Sequence, residues 1–483
     1  MFESRRNTFI ALLLAVLIGA GGMYAGLDWL GNAKTSDETA VSGVHAEMDS
    51  EAAMEKFAKA FEIIQASYVE GVDASQLVEG AITGMLETLD DPYSVYMDKE
   101  TSKQFEESLG SHFSGIGAEV SMSNGKVTIV APFKDSPAEK AGILPNDRII
   151  LIDGNSIEGL SLNEAVLKIR GEKGTAVKLT IERSGLSQTV DITVVRDDIP
   201  IETVRQKMFT HDGKNIGLIE ITSFSEDTAK EFSKALSELE SKSIDGLIID
   251  VRGNPGGYLN SVEDIGKMII PKDKPIVQTE DREGKKTRYL SNLKEVKPYP
   301  IIGLIDKGSA SASEILAGAL KEAGNYDLVG VTTFGKGTVQ QQIKLGDGSQ
   351  MKLSLYKWLT SDGNFIHKVG VTPTVEVMQP DYFYLPPLQI EEKLSFDMAN
   401  EQVKNAQAML KGLGFEPGRT DGYFGEQTKQ AVKAFQQTHG LPLTGEIDDD
   451  TASAIHKQLI ENIRDEKNDR QLQTAIEMIV KGK

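Results

Sequence analysis

Length, charge and composition already limit what this chain can be. Its 483 residues, at roughly 150 residues per domain, predict about three domains. Lys and Arg number 52 against 72 Asp and Glu, and this net charge of −20 argues against a nucleic-acid partner, since no excess of cations can neutralise phosphates. Hydrophobic residues make up 40% and charged residues 26%, as in globular domains with true cores. With no cysteine, and no pair of its six histidines at a metal-ligand spacing, the chain is expected to use neither a metal nor a cofactor.

The N-terminus has the pattern of a membrane-targeting segment. Arg5 and Arg6 precede an uncharged, largely apolar stretch at 7–27, which is just long enough to span a bilayer with its basic flank in the cytoplasm. We expect residues 1–30 to form an uncleaved signal anchor, followed by a polar linker at 31–46. A cleaved signal peptide is the alternative, because small residues follow the apolar centre. Either way the rest is exported, which for a chain without cysteine fits a protein of the bacterial cell envelope, and the uncleaved anchor makes it a single-pass membrane protein with an extracytoplasmic catalytic domain.

Residues 47–112 are predicted to form an N-terminal helical region. The first apolar set recurs at helical spacing, and it comprises Met54, Phe57, Phe61, Ile64 and Tyr68. A second helical pattern ends before Asp91-Pro92-Tyr93-Ser94, where the proline enforces a turn. The apolar faces of these helices either pack on a core or form a dimer contact. We expect a homodimer.

From residue 113 the pattern changes to short strands. The order of strands, turns and one helix over 113–197 resembles a PDZ domain, a module that adds a partner's C-terminus to its sheet as a strand. The matching carboxylate-binding loop contains Gly115, Ile116 and Gly117, and its glycines let backbone N–H groups approach an anion. The alternative is that these glycines only permit a tight entry into the strand.

The segment 198–385 alternates strands and helices. An apolar strand at 300–306 runs into a glycine-rich turn with Ser309, Ser311 and Ser313 and then into a helix. Such a junction brings a side chain and the helix N-terminal amides to one point, which is how an oxyanion site is built. A second glycine-rich loop follows the strand that ends at residue 251.

Two chemistries compete for these residues. The spacing GxxxxGK at 330–336 matches a phosphate-binding loop, but Gly337 stands where Ser or Thr is needed and a strand, not a helix, is predicted next. The other chemistry is a Ser/Lys hydrolase in which Lys336, neutral through burial, takes the serine proton. Composition alone does not choose among the three serines. A capped helix and a surface lysine would be the structural alternative, since Ser311 and Glu314 also match a capping box.

Combined motifs favour the hydrolase. GSASASE, FGKGTVQ and DVRGNPGG, with the PDZ pattern ahead of them, resemble the carboxyl-terminal processing proteases over about residues 86–378. This resemblance implies a ClpP/crotonase-like α/β protease core, Ser311 as nucleophile, Lys336 as general base and Gln340 as the residue that holds the lysine amine from the same strand face. It implies oxyanion donors at the N–H of Ala312 and at Gly257, with Gly256 nearly as well placed.

The same resemblance implies how substrates are recognised. Protein or peptide substrates with apolar C-termini would bind the PDZ domain, and Arg170 resembles the arginine that relays tail binding to the active site in this family. The alternative for Arg170 is a solvated cation at a helix end. Similar proteins occur in spore-forming bacteria, so a role in sporulation is a weak expectation.

A third unit follows the protease segment. Residues 400–460 resemble a small helical peptidoglycan-binding domain, which implies cell-wall binding, although a spacer or dimer contact is the alternative. Apolar residues at helical spacing then predict a C-terminal helix within 461–483 that needs an apolar partner, for which the N-terminal helix of a second subunit is expected.

Together these patterns predict a multidomain chain of mixed α/β and α+β class: a membrane-anchored serine endopeptidase with PDZ gating. A catalytically idle scaffold that localises partners is the rival, and the combination of Ser311, Lys336 and Gln340 argues against it.

Overall fold

The computed structural model describes residues 50–482 except 111, 124, 134–135, 145, 184–187 and 389. The expected signal anchor at 1–30 and linker at 31–46 lie outside these residues. Among the helices that are described, none combines the length and the apolar character needed to cross a membrane.

The N-terminal region contains the two predicted helices and continues into the protease core. Its elements are α1 (Ser50–Ser67), α2 (Ala74–Glu87), β1 (Val95–Met97) and α3 (Lys99–Leu109). No residue of α1 is buried, and Met54 and Tyr68 are 65% and 59% exposed. Contacts within one chain therefore leave the apolar face of α1 open to solvent. The homodimer remains a prediction.

The PDZ segment forms one antiparallel sheet with a helix across it. A short pair links its two ends: β2 (His112–Gly115) runs antiparallel to β9 (Asp197–Pro200). The sheet has the order β3-β4-β5-β7-β8, with β6 on β5, and contains β3 (Ala118–Ser123), β4 (Lys126–Pro132), β5 (Arg148–Ile152), β6 (Asn155–Ser156), β7 (Ala176–Glu182) and β8 (Val190–Val195). The helices of this domain are α4 (Pro137–Lys140) and α5 (Leu162–Ile169). Buried aliphatic residues of β4, β5 and β7 fill the core of this domain.

The protease core is a mainly parallel sheet between helical layers. Its order is β10-β11-β12-β15-β16-β19, in which only the β10–β11 pair is antiparallel. The strands are β10 (Val204–His211), β11 (Lys214–Ile221), β12 (Gly246–Asp250), β15 (Ile301–Ile305), β16 (Asp327–Gly330) and β19 (Val375–Glu376). One face packs on α6 (Thr228–Ser241), α7 (Leu259–Ile269) and α8 (Ala312–Gly318), and α8 continues as a π-helical turn at Ala319–Ala323. Strands β12 and β15 are buried along their whole length, as in parallel sheets covered on both faces.

A second sheet joins the N-terminal region to the core. Its order is β1-β18-β13-β14 with β17 also on β18, and its strands are β13 (Pro275–Glu280), β14 (Lys286–Leu290), β17 (Thr338–Lys344) and β18 (Gln350–Leu359). β13 and β14 form an antiparallel hairpin. Because β1 pairs antiparallel with β18, the N-terminal region supplies a strand to the protease itself.

The peptidoglycan-binding segment is a compact helical unit. It contains α9 (Glu401–Gly412), α10 (Glu426–Thr438) and α11 (Asp449–Arg464) around one apolar cluster, as the sequence predicts for a small helical domain.

The last helix, α12 (Arg470–Lys481), covers the second face of the parallel sheet. Its apolar residues Leu472, Ile476 and Ile479 pack on aliphatic side chains of β11, β12, β15 and β16. The apolar partner of this helix is therefore the protease core of the same chain, and the expected pairing with a second subunit's N-terminal helix is wrong. A single-sequence pattern finds an apolar stripe but not the surface that covers it.

An ion pair connects the start of α12 to the loop that follows β12. Both carboxylate oxygens of Asp469 accept hydrogen bonds from the guanidinium of Arg252, at 2.9 and 2.8 Å. Arg252 also pairs with Asp250 at the end of β12. This planar, two-bond geometry is the strong form of an Arg–carboxylate pair.

The α12 packing can be tested by truncation of one buried side chain. Ile476 is 3% exposed, so Ile476→Ala should lower the stability of the protease core by about 3 kcal/mol through lost burial and a residual cavity. Calorimetry of the full chain should show a lower unfolding temperature for the core transition only. Glu477→Ala, on the exposed side of the same helix, should shift it by well under about 1 kcal/mol. Equal transitions in both variants and the wild type would contradict docking of α12 on the sheet.

Candidate active site

A strained turn presents Ser311 at the start of α8. β15 ends at Ile305, the chain turns, and Ser311 occupies the position just before the helix with φ +54° and ψ −113°. This conformation is costly for a residue with a Cβ, and backbone strain of this kind is characteristic of functional turns. A sharp strand-to-helix turn is also the geometry that holds a nucleophilic serine clear of its own backbone.

Hydrogen bonding separates the three serines that composition leaves equivalent. Ser309 donates its hydroxyl to the carbonyl of Val251, and Ser313 donates to the carbonyl of Asn254; both serines are completely buried. Their hydroxyls tie the Ser311 turn to the glycine-rich loop after β12. Ser311 instead lines a small cavity.

This cavity brings together several of the residues singled out from the sequence. Gly257, Ser311, Ala312 and Gln340 are among its lining residues, with the Trp358 side chain closing one side. Its volume is about 10 Å³, which is room for about one water molecule or one carbonyl oxygen.

The two glycines considered as oxyanion donors are in different situations. The Gly256 N–H donates to Oδ1 of Asn254 at 2.8 Å and is therefore occupied. Within the described residues no acceptor faces the N–H of Gly257 or of Ala312. Gly257 has φ +147°, and a Cβ there would lie 2.1 Å from the carbonyl oxygen of Phe224, so the close approach requires glycine.

Lys336 lies in the loop before β17 and is 3% exposed. Burial lowers the pKa of its ammonium to about 7; the positive charge of Lys352 adds to this effect, and the carboxylates of Asp91 and Glu314 oppose it. Its Nζ lies 4.8 Å from the centre of the Tyr93 ring. A large fraction of Lys336 is thus neutral near pH 7 and able to accept a proton.

One buried carboxylate joins the serine turn to the lysine loop. Glu314, in the first turn of α8, is 0% exposed. Its oxygens accept hydrogen bonds from the N–H of Ser311 (2.9 Å), the hydroxyl of Thr333 (2.6 Å) and the N–H groups of Gly335 (2.6 Å) and Lys336 (2.8 Å). Burial raises the pKa of Glu314, and these hydrogen bonds counteract the rise. The sequence suggested only a capping residue here, whereas the side chain holds both halves of the site.

Gln340 lies on β17 but is not bonded to Lys336. Its Nε2 donates to the carbonyl and hydroxyl of Thr338 and to the hydroxyl of Ser354, at 3.2, 2.9 and 3.0 Å. The expectation that the lysine and glutamine share one strand face is wrong, because β17 begins only at Thr338 and has an irregularity between Val339 and Gln340. A bulge of this kind interrupts the two-residue alternation on which the expectation was based.

The four residues expected to bind a substrate tail lie around one groove. Gly115, Ile116, Gly117 and Arg170 line it together with apolar residues of β3 and α5. The Arg170 guanidinium lies 4.8 Å from the centre of the Phe113 ring, at the mouth of the groove. Gly117 has φ +72°, and a Cβ there would lie 2.6 Å from Ser136 Cβ, so the loop conformation requires glycine at this position.

The phosphate-binding alternative for 330–336 does not fit the structure. The loop leads into strand β17, whereas a phosphate-binding lysine has to open a helix whose amides cradle the anion. No group of His, Asp or Glu in the described part of the chain has the arrangement of a metal site.

Four known domain families match parts of the chain. Peptidase family S41 matches residues 215–377, a PDZ domain matches 114–194, the N-terminal domain of the activating protease CtpB matches 16–101, and a peptidoglycan binding domain matches 399–455. These ranges agree with the succession of units in the fold.

Curated relatives are similar over almost the whole chain. The carboxy-terminal processing protease CtpB of Bacillus subtilis is 55% identical over 96% of this chain and 97% of its own length. The carboxy-terminal processing protease CtpA of the same organism is 41% identical over 98% of each chain. The solved photosystem II D1 C-terminal processing protease is 27% identical, with a TM-score of 0.42 over 68% of this chain and 93% of that one. Because the two curated Bacillus subtilis relatives match nearly the whole chain, it belongs to peptidase family S41 and is a serine peptidase of the carboxy-terminal processing type.

Proposed function

We propose that this peptidase captures the C-terminus of a protein substrate in its PDZ groove and cleaves the chain by a Ser311–Lys336 mechanism at the bacterial cell envelope. The observation that carries the mechanism is the junction at Glu314. One buried carboxylate bonds the backbone of a strained serine and of a buried, readily neutralised lysine, so the two side chains are held to a common frame.

Each proton transfer in the proposed reaction can be assigned to Ser311, Lys336, the substrate or water. Neutral Lys336 accepts the proton of Ser311 Oγ as that oxygen attacks the substrate carbonyl carbon. The N–H groups of Ala312 and Gly257 donate to the resulting oxyanion. Protonated Lys336 then gives its proton to the leaving amine, and an acyl-serine remains. Water, deprotonated by the lysine, releases the new C-terminus and restores the hydroxyl.

Gln340 can support this chemistry through its side-chain carbonyl. Its Nε2 is held by Thr338 and Ser354, so its Oε1 is the atom that can accept a hydrogen bond from the neutral lysine amine, whose lone pair then stays available for the serine proton. Holding the amine in this way is the role that the family resemblance assigns to Gln340.

The groove has the features needed for C-terminal recognition. β3 lies at the end of its sheet, so its outer edge can pair with an added strand. Ile116, Val166 and Ile169 give the groove an apolar lining that suits an apolar final side chain. Arg170 brings a positive charge to the loop where the terminal carboxylate would bind.

Location and assembly are inferred from the sequence and from exposed surfaces. The apolar stretch after Arg5 and Arg6 supports a single-pass membrane anchor. The exposed apolar face of α1 supports a homodimer contact, and the helical domain at 400–460 supports peptidoglycan as a partner.

Loss of either reacting group should abolish cleavage. In full-length protein, Ser311→Ala and Lys336→Ala should each lower kcat/KM by about 10³-fold or more toward an unstructured polypeptide with an apolar C-terminus. Lys344→Ala, at the exposed end of β17, is the matched control and should cleave normally. Cleavage products are measured by mass spectrometry. Persistent cleavage by Ser311→Ala would assign the nucleophile to another residue.

The rate should depend on pH through Lys336. Because only the neutral amine accepts a proton and its pKa is about 7, kcat/KM should fall about tenfold per pH unit below that value and level off above it. Burial lowers the pKa of His367 from its ordinary value, so His367→Asn should retain the limb near pH 7. A rate that is constant from pH 5.5 to 8 would contradict the lysine as base.

Tail capture should depend on the groove face of α5. Val166→Asp places a negative charge where the apolar tail and its carboxylate bind, and it should raise KM about tenfold or more. Leu167→Asp, one residue along the same helix and outside the groove, is the control. Binding of a fluorescent C-terminal peptide is measured by anisotropy, and a peptide amidated at its C-terminus should bind both variants weakly. Equal binding by both variants would exclude this groove.

A further inference from the structure

The turn at 91–94, formed by Asp91, Pro92, Tyr93 and Ser94, lies against the active site although it belongs to the N-terminal region. The ring of Tyr93 faces Lys336 Nζ at 4.8 Å. β1 follows the turn and pairs with β18, where Val95 is opposite Lys352. The turn is therefore fixed to the protease sheet by backbone pairing and reaches the general base with a side chain.

Hydrogen bonds run from this turn to the active-site glutamine. Ser94 donates its hydroxyl to Oδ2 of Asp91 at 2.6 Å and accepts the N–H of Ser354 at 3.0 Å. Ser94 thus joins the Asp91 carboxylate to the backbone of Ser354. The Ser354 hydroxyl accepts the Gln340 amide at 3.0 Å, which completes a path from Gln340 to Asp91.

A second buried lysine lies in the same neighbourhood. Lys352, on β18, is 1% exposed, and its Nζ lies 5.0 Å from the centre of the Phe105 ring. Burial lowers the pKa of Lys352 to about 8, while the charge of Asp91 opposes this shift. Phe105 belongs to α3, so both buried lysines face an aromatic ring supplied by the N-terminal region.

We propose that Asp91 is a positioning residue of the peptidase: through Ser94 and Ser354 it holds Gln340 beside the catalytic pair, and with Lys352 it balances the charge around Lys336. The proposal rests on the Ser311–Lys336 mechanism of the proposed function. It assigns the 91–94 turn to the working site rather than to a connection between helices.

The groups around Lys336 act on its protonation with opposite signs. Asp91 and Glu314 stabilise the charged ammonium, and Lys352 destabilises it. The Tyr93 ring faces the same ammonium, and His367 packs edge-on against Tyr93. Burial works against ionisation of Asp91, but the hydrogen bonds from Ser94 and the Tyr93 N–H help to outweigh it and lower its pKa, so it carries its charge at neutral pH.

The opposite effects of Asp91 and Lys352 on the protonation of Lys336 define the experiment. In the full-length chain, Asp91→Asn removes a negative charge, so the acidic limb of kcat/KM should move to lower pH by about 0.5 unit or more. Lys352→Met removes a positive charge, so the limb should move to higher pH by a similar amount. Both profiles are measured with a fluorogenic peptide that has an apolar C-terminus. A purely structural role would not move the two limbs in opposite directions.

Hydrogen bonding is tested apart from charge. Ser354→Ala breaks the path between Asp91 and Gln340 without removing a charge, so kcat should fall about tenfold while the limb keeps its pH. Asp91→Asn should show a comparable loss of kcat. Asp98→Asn is the matched control, because Asp98 lies in the same region and caps α3 through Thr101 at 2.7 Å; it should leave both quantities at the wild-type value.

The outcomes separate this inference from the mechanism on which it rests. If Lys336→Ala is inactive while Asp91→Asn keeps the wild-type limb and kcat, the inference is overturned and the mechanism stands. If Lys336→Ala remains active, both fail. Circular dichroism checks that each variant folds. Should Asp91→Asn not fold, an unmoved limb in Lys352→Met together with unchanged kcat in Ser354→Ala overturns the inference.

Discussion

The carboxylate of Glu314 is the interaction on which the site depends. It is fully buried, and the free energy of taking a carboxylate out of water is recovered only if its oxygens receive several hydrogen bonds. Those donors are the backbone of Ser311, the hydroxyl of Thr333 and the backbone of Gly335 and Lys336. Two loops from different parts of the sheet thus share one anion, and neither can shift without leaving donors or the carboxylate unsatisfied.

Around this junction the protease is built from more of the chain than its central segment. β1 from the N-terminal region adds a strand to the sheet that carries β17 and β18, and α12 covers the outer face of the parallel sheet. Arg252, at the base of the loop that carries Gly257, is held from both sides by Asp250 and Asp469. Segments that precede and follow the central protease segment therefore both contact it, β1 through the sheet that carries β17 and α12 through the parallel sheet and Arg252.

Local features of the site could be predicted from the sequence, and long-range ones could not. Three short segments could be found from motifs because their residue types specify their conformation. They are the Ser311 turn, the Lys336 loop and the loop with Gly256 and Gly257. Gln340 lines the same cavity as Ser311, but its Nε2 bonds to Thr338 and Ser354 depend on the pairing of β17 with β18 and are invisible in a motif. Asp91 was noted only as part of the 91–94 turn and Lys352 not at all, since these residues approach Lys336 only when β1 pairs with β18. The partner of α12 was likewise a matter of tertiary packing.

Because α12 comes late in the sequence, the protease core is completed only near the end of chain synthesis. About ninety residues, including a whole helical domain, separate β19 from α12, so a growing chain completes its parallel sheet long before it makes the helix that covers it. Until then aliphatic residues of four strands face solvent, and Arg252 lacks the Asp469 carboxylate. At that stage the Ser311 turn and the Lys336 loop are present, but the loop that carries Gly257 still lacks the contact of Arg252 with Asp469. The support of this loop is therefore complete only when the last helix has been made.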